Sequence, residues 1–187
     1  MDTDFEFEMK GLGFQTKGYP GAFTPTVEKD IKLMLQAIRA KKRKRIDVLH
    51  LFSGVSLLGE VRVDLARPEA TNRQDVLQFV KQDKNTWDAV ILDPPYDIKR
   101  KRKLMSGEYV SRDIGGYSKV TSAAADVVLR NAMIGYFCKH VKNVIWLDMC
   151  APYPTAMKRV GFRRRRLIFY FPGGFHTLRV LTWLERT

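Results

Sequence analysis

Apolar residues in this sequence follow two patterns that alternate along the chain. Short, continuously apolar runs indicate strands buried on both faces, and we predict them at residues 46–52, 61–65, 87–92 and 143–147. Apolar residues at three- and four-residue spacing indicate helices, which we predict from Thr24-Pro25 to within 41–45, and at 75–81, 121–140 and 154–160. The alternation predicts an α/β sandwich around a mostly parallel sheet.

The last predicted elements form an antiparallel hairpin. Two apolar runs, residues 166–171 and 177–184, flank Pro172-Gly173-Gly174. Residues 1–22 lack clear periodicity and are predicted to form an N-terminal arm, and residues 97–119 are predicted to form a long charged loop. No repeat or linker divides the sequence, so we predict one compact domain over residues 1–187.

Charge points to a partner. The 187 residues are 45% hydrophobic and 28% charged, as in ordinary globular proteins, but their net charge is +13. Basic residues cluster at Lys41–Arg45, Lys99–Lys103 and Arg163–Arg166. One cluster is typical of a solvated face, whereas three favour a polyanion, and we predict nucleic acid. No amphipathic anchor accompanies the clusters, so we predict no membrane partner.

Other classes are disfavoured by what the sequence lacks. No apolar run is long enough to span a bilayer, and the acidic start MDTDFEFEMK is unlike a secretory signal. We therefore expect an intracellular, cytoplasmic protein. Cys138 and Cys150 have no partner at metal-ligand spacing, so we predict no metal site and expect two buried thiols.

The strongest chemical signal is Asp93-Pro94-Pro95-Tyr96, directly after a predicted strand. In open parallel sheets, ligands bind at the carboxyl ends of strands. The Asp93 carboxylate and the Pro94 carbonyl can accept both N–H protons of an exocyclic base amine, which aims its lone pair at an electrophile. Tyr96 offers a face on which an extruded base can stack. A plain structural turn would use proline and aspartate too.

Placed in this way, the segment resembles motif IV of the amino-methyltransferases that act on DNA and on some RNA. The resemblance implies a Rossmann-like class I methyltransferase fold and S-adenosyl-L-methionine as cofactor. It makes Asp93, Pro94, Pro95 and Tyr96 the catalytic residues.

Upstream residues carry the rest of the resemblance. Phe52-Ser53-Gly54 looks like motif I, where glycine lets the backbone approach the cofactor, although Ser56 stands where the family usually has a second glycine. Asp64 matches the carboxylate that accepts the ribose hydroxyls, and Asp75 the residue that contacts the adenine amine. Asp75 could equally be a plain helix cap.

Two further features follow from the resemblance. Thr24-Pro25 after Phe23 looks like motif X, which closes over the methionine end of the cofactor. Four residues separate Gly59 from Asp64, and ten separate Asp64 from Asp75. Such short crossovers predict that one or two helices of the usual fold are very short or absent.

The nucleic acid is expected to contact the loop that follows the catalytic turn. This loop carries the cluster Lys99, Arg100, Lys101, Arg102 and Lys103, which we predict to bind phosphates. The family that the sequence resembles often has a second base-stacking ring near the end of the chain, and the candidates here are Phe169, Tyr170, Phe171 and Phe175.

We therefore predict a methyltransferase acting on an exocyclic base amine, with adenine N6 in DNA as the leading candidate. An RNA enzyme acting on adenine N6 or guanine N2 is the nearest alternative, because both substrates present the same groups, and N4-cytosine methylation in DNA is also open. A catalytically silent, methyltransferase-like subunit that only binds nucleic acid is another. The sequence leaves the target sequence and the oligomeric state open.

Overall fold

The computed structural model describes residues 5–12, 23–65, 67–94, 127–152, 154–172 and 178–187. These residues form eight strands and four helices. In chain order they are β1 (Glu6–Leu12), α1 (Pro25–Lys42), β2 (Val48–Leu51), β3 (Val61–Asp64), β4 (Asn72–Arg73), α2 (Val76–Gln82), β5 (Ala89–Leu92), α3 (Val127–His140), β6 (Asn143–Asp148), α4 (Pro154–Arg159), β7 (Phe162–Pro172) and β8 (Arg179–Arg186).

Helix α1 begins and ends where its sequence predicts. The Thr24 hydroxyl accepts a hydrogen bond from the Val27 backbone N–H at 3.2 Å, and Pro25 occupies the first turn. Arg43 adopts a left-handed conformation, φ 56°, and its N–H donates to the Arg39 carbonyl, which ends the helix. The buried stripe includes Val27, Ile31, Met34 and Ile38.

All eight strands belong to one sheet, in the order β1-β7-β8-β6-β5-β2-β3-β4. Strand β8 runs antiparallel to both of its neighbours, and the other pairs are parallel. The predicted mostly parallel sheet with an antiparallel C-terminal hairpin is confirmed. Strands β2, β3, β5 and β6 all end at the same edge, which we call the carboxyl edge, and begin at the opposite amino edge.

The two faces of the sheet are covered by different helices. Alternate residues of the central strands, such as Leu49, Leu92 and Trp146, pack against α2 and α3. Their neighbours, such as Ile91 and Ile145, pack against α1. This double burial explains the continuously apolar runs in the sequence.

The crossovers before and after β3 are short, as predicted. Residues 52–60 connect the parallel strands β2 and β3 without a helix, and the described residues between β3 and β4 contain none either. Gly59 makes the first connection possible. Its φ is +89°, and a Cβ there would lie 3.1 Å from the Val48 carbonyl oxygen.

Within the predicted N-terminal arm, residues 6–12 form strand β1, which the sequence analysis did not predict. Lys10 attaches β1 to α1, because its Nζ lies 2.7 Å from Asp30 on α1; the same atom lies 2.9 Å from Glu8. Arg166 on β7 pairs with both Glu6 and Glu8. Side chains therefore hold β1 to β7 and α1 in addition to the parallel backbone ladder.

Three smaller expectations also need correction. Strand β7 begins at Phe162, so the basic run 163–166 lies inside the sheet rather than before it. Strand β4 was not predicted. Of the cysteines, Cys138 is half-buried and Cys150 is exposed, so they are not two buried thiols.

None of the described helices is both long and apolar enough to cross a membrane.

Candidate active site

The carboxyl edge brings together most of the described residues that the sequence nominates. Phe52 follows β2, Asp64 ends β3 and Asp93 follows β5. Backbone hydrogen bonds join these strand ends: Ser53 N–H donates to the Val63 carbonyl at 3.1 Å, and Asp93 N–H to the Leu51 carbonyl at 3.4 Å. The carboxyl ends of parallel strands are where ligands bind in open α/β sheets.

The turn at Phe52-Ser53-Gly54 has an unusual backbone. Phe52 has φ +58°, a conformation that costs a bulky L-residue about 1–2 kcal/mol, and Gly54 has φ +54°. Burial holds Phe52 in place, since only 7% of its surface is exposed. A Cβ on Gly54 would meet no described atom within 4 Å. Among the described residues, the turn therefore leaves open space beside its glycine.

Asp64 fixes this turn from the neighbouring strand. The buried carboxylate accepts the Gly54 N–H on Oδ2 and the Arg67 N–H on Oδ1, each at 3.1 Å. A carboxylate has about four lone-pair positions, so one carboxylate can accept several donors at once. The predicted motif I turn and the predicted ribose carboxylate are in direct contact.

Asp75 lies beyond β4 and serves as a helix cap. Its Oδ1 accepts the Gln78 N–H at 3.0 Å at the start of α2. The capping alternative is therefore what the described contacts show. A cofactor contact by Asp75 remains a prediction.

Thr24 and Pro25 lie at the start of α1, beside the end of β2. The Phe23 ring stacks on His50 of β2, with centroids 5.5 Å apart and planes 2° from parallel. The Thr24 hydroxyl is buried and used as a cap, whereas Pro25 is exposed. The start of α1 therefore lies at the carboxyl edge, where the Phe52–Gly54 turn also lies.

Of the predicted catalytic segment 93–96, the structure describes Asp93 and Pro94. Asp93 is half-buried and Pro94 is buried. Pro95, Tyr96 and the basic cluster Lys99–Lys103 lie outside the described residues, as does Phe175. Among the other aromatic candidates, Tyr170 is buried and donates its hydroxyl to Asp30 at 2.7 Å, while Phe171 is 43% exposed near the carboxyl edge.

Two polar residues at this edge were missed by the sequence analysis. Asp148 ends β6, is fully buried, and accepts the Trp146 indole N–H at 3.1 Å and the Met149 N–H at 2.6 Å. An acidic residue directly after a buried apolar run was the available signal, as at Asp93. Because Leu92 pairs with Trp146, Asp148 lies on the strand beside the predicted catalytic segment.

His50 is the second missed residue. Its Nδ1 lies 3.2 Å from the Leu58 carbonyl oxygen, while Nε2 is buried without a hydrogen-bond partner among the described residues. Burial lowers the pKa of His50 to about 3, so the imidazole is neutral at physiological pH.

Comparison with known proteins gives a fold likeness. No protein-family profile matches the chain, and no curated protein matches it significantly. A solved structure from Pyrococcus horikoshii, described as a candidate RNA methyltransferase, is 14% identical and matches with a TM-score of 0.50 over 88% of this chain and 85% of that one. The chain has the Rossmann-like fold of class I methyltransferases.

Two other solved structures resemble this methyltransferase-fold chain less closely. A Thermoplasma acidophilum protein is 12% identical and has a TM-score of 0.46, with 92% of this chain and 91% of that one covered. Magnesium protoporphyrin IX methyltransferase from Synechocystis, solved with bound S-adenosylmethionine, is 14% identical and has a TM-score of 0.44, with 89% and 86% covered.

Proposed function

We propose that this chain transfers a methyl group from S-adenosylmethionine to an exocyclic amino nitrogen of a nucleic-acid base, with adenine N6 in DNA as the leading substrate. One observation carries the proposal. The Asp93-Pro94 segment lies at the carboxyl edge beside the Phe52–Gly54 turn, and the Asp93 N–H donates to the carbonyl of Leu51, the residue directly before that turn.

The residues at the turn fit the cofactor. The space beside Gly54, which no described residue fills, allows a ligand to approach the backbone, and the Asp64 carboxylate is the kind of group that accepts vicinal hydroxyl groups. Phe52, Ser53, Gly54 and Asp64 would hold the cofactor, and Thr24-Pro25 would border it from α1. When bound, S-adenosylmethionine supplies an electrophilic methyl group.

The target amine would be oriented by two acceptors. The Asp93 carboxylate and the Pro94 carbonyl would each accept one N–H, which turns the nitrogen lone pair away from the base ring and towards the methyl group. Because positive charge develops on that nitrogen, acceptors fixed in advance stabilise the transition state more than the ground state. As the N–C bond forms, the bond between the methyl group and sulfur would break and S-adenosylhomocysteine would leave. The nitrogen needs no deprotonation before attack, since its proton can leave to solvent afterwards.

A silent, nucleic-acid-binding subunit is the second candidate. The contacts of Asp64 favour it, because both carboxylate oxygens accept backbone N–H groups. A purely structural role would therefore explain this residue. Calorimetric titration with S-adenosylmethionine separates the two candidates, because a silent subunit that has lost cofactor binding would release no binding heat.

The deciding experiment measures transfer of labelled methyl from S-adenosylmethionine to duplex DNA, single-stranded DNA and structured RNA. Asp93→Ala should lower turnover by about 10²–10³-fold, the usual effect of removing one preorganised hydrogen-bonding group. The exposed carboxylate Asp47, at the amino edge, provides the matched control, and Asp47→Ala should retain turnover.

Each result has a distinct meaning. Label recovered from DNA as N6-methyladenine, and lost in Asp93→Ala, supports the leading substrate. Label found in RNA alone keeps the reaction and replaces the substrate. Cofactor binding without transfer to any of the three nucleic acids would refute base methylation.

A further inference from the structure

Two of the basic clusters, more than 100 residues apart in the sequence, converge at the amino edge. Lys41, at the end of α1, and Arg163, on β7, both pair with Glu185 of β8. The Arg163 guanidinium lies 2.9 Å from the carboxylate, and that of Arg165 lies 3.5 Å from it. The sequence shows two separate clusters, whereas the fold makes one surface from them.

A second buried carboxylate organises the other half of this surface. Asp88, directly before β5, pairs with Lys42 and, at 3.2 Å, with Lys142. Asp88 is 4% exposed and Glu185 is 8% exposed, so both acids lie beneath the surface. The cations extend outwards: the side chains of Lys41 and Lys142 are 65% and 63% exposed. Five cations around two buried acids leave a net positive, preorganised surface.

Three of these cations and both acids line an open cleft of about 140 Å³, and Arg163 and Arg165 lie beside it on Glu185. Its lining includes an aromatic ring together with the charged residues: Lys41, Lys42, Asp88, Lys142, Trp183 and Glu185. Trp183 is half-buried, and its indole N–H donates to Asn143 at 3.1 Å, which fixes the ring. Exposed Arg43, Lys44 and Arg45 continue the positive charge beyond α1.

We propose that this cleft, which we call the amino-edge cleft, is a second nucleic-acid-binding surface that holds backbone phosphates and stacks one base on Trp183. Lysine and arginine at fixed positions bind phosphates, and a held aromatic ring binds a base without regard to sequence. An acidic protein partner would use the cations but has no need of the ring.

This proposal rests on the proposed function, because it concerns the same class of substrate. The cleft lies at the amino edge and Asp93 at the carboxyl edge, separated by the length of the central strands, which is about 20 Å for a six-residue strand. A nucleic acid held at both places must therefore be longer than the methylated site. The cleft would retain a long substrate while its target base is at the carboxyl edge.

The test is a salt titration of nucleic-acid binding without cofactor, using duplex DNA and single-stranded RNA of about 20 nucleotides, long enough to span the strands. The triple variant Lys41→Gln, Lys142→Gln, Arg163→Gln removes three exposed cations. Lys42 still pairs with Asp88 and Arg165 with Glu185, so neither buried acid loses all of its partners. The charge-matched control is Lys29→Gln, Lys32→Gln, Arg73→Gln, at exposed positions elsewhere.

The cleft variant should flatten the slope of log K against log salt by about 2 on single-stranded RNA, because each lost phosphate contact removes about 0.7. The control variant should keep the wild-type slope. Trp183 adds an independent signal: of the three tryptophans it alone is not buried, so bound nucleic acid should quench its fluorescence, and Trp183→Leu should abolish the change.

Equal slopes for the cleft and control variants would overturn the proposal, as would no binding by the wild-type chain. Competition by polyglutamate as effective as that by RNA would also overturn it, in favour of an acidic protein partner. A flattened slope in a chain that transfers no methyl group would support the cleft and refute the proposed reaction. Normal methylation with an unchanged slope would have the reverse meaning.

Discussion

Replacing Gly54 with alanine tests whether the open space at the Phe52–Gly54 turn is a cofactor site. In the free protein the added methyl group meets no described atom within 4 Å, so the cost comes from the backbone, whose φ is +54°. A left-handed conformation costs an L-residue about 1–2 kcal/mol. Alanine also restricts the unfolded chain, which offsets about 0.4–1 kcal/mol. The net loss of stability should be about 1 kcal/mol.

Cofactor affinity should fall by more. If S-adenosylmethionine fills the space beside Gly54, the methyl group overpacks the complex, which costs about 1–3 kcal/mol. At 1.4 kcal/mol per factor of ten, the dissociation constant should rise about 5- to 150-fold. Calorimetric titration measures this rise, and urea denaturation measures the stability of the same samples.

Gly161 provides a matched control in the turn between α4 and β7. Its φ is +79°, and a Cβ there also meets no described atom within 4 Å, but the turn leads into the amino end of β7. Gly161→Ala should therefore lose a similar amount of stability and keep wild-type cofactor affinity. Equal affinities in the Gly54→Ala and Gly161→Ala variants would refute the reasoning.

Three further predictions concern carboxylates and the buried histidine. Asp64→Ala should lower the free energy of unfolding by about 3 kcal/mol, because two N–H donors lose a charged acceptor; an unchanged urea midpoint would contradict this. Burial lowers the pKa of His50 to about 3, so its contribution to stability is complete above the unfolded value of about 6.5 and is lost at about 1.4 kcal/mol per pH unit as the pH falls towards 3. His50→Leu should remove this slope from a pH series of urea midpoints, and a slope retained in the variant would assign it to another group. Burial raises the pKa of Asp88, but hydrogen bonds from Lys42, the Asp47 N–H and Lys142 outweigh it, so the pKa is lowered. The stabilisation from Asp88 is complete above about pH 4 and is lost below it. Asp88→Asn should therefore be less stable than the wild type at neutral pH, and its stability should change less as the pH falls into the acid range. Urea denaturation at pH 7 and pH 3 can check both.

The parts of the fold that the sequence predicts are those that local patterns specify. The cap at Thr24 and the strand ending at Leu92 depend on neighbouring residues, and both appear at the expected positions. The short crossovers could be counted directly between Gly59, Asp64 and Asp75.

Features that depend on distant partners were missed. Residues 5–10 alternate between apolar and charged side chains, a strand pattern that the absence of clear periodicity over residues 1–22 as a whole obscured. The partners of β1, Arg166 and Asp30, lie far along the chain. The basic run 163–166 resembles a solvated stretch until Glu185 is placed beside it. Asp148 was missed because its role depends on which strand lies next to β5.

The candidate site divides in the same way. A motif with a fixed order, such as Phe52-Ser53-Gly54 followed by Asp64, was found because its members lie close in sequence. Their contact, Gly54 N–H to Asp64 at 3.1 Å, requires that β2 and β3 be adjacent and parallel. No sequence pattern indicated that His50 would lack a partner for Nε2.

The position of β1 has a consequence for how the chain reaches its native state. Residues 6–12 pair in parallel register with residues 166–172, so the outermost strand pair of the sheet, β1 and β7, joins segments about 160 residues apart. Contacts of such long range form slowly, because loop closure costs entropy before any contact stabilises the pair. During synthesis, β1 must wait until β7 has left the ribosome. Until then Phe7 and Met9, which stay exposed even in the folded protein, form an unpaired apolar segment that is vulnerable to aggregation.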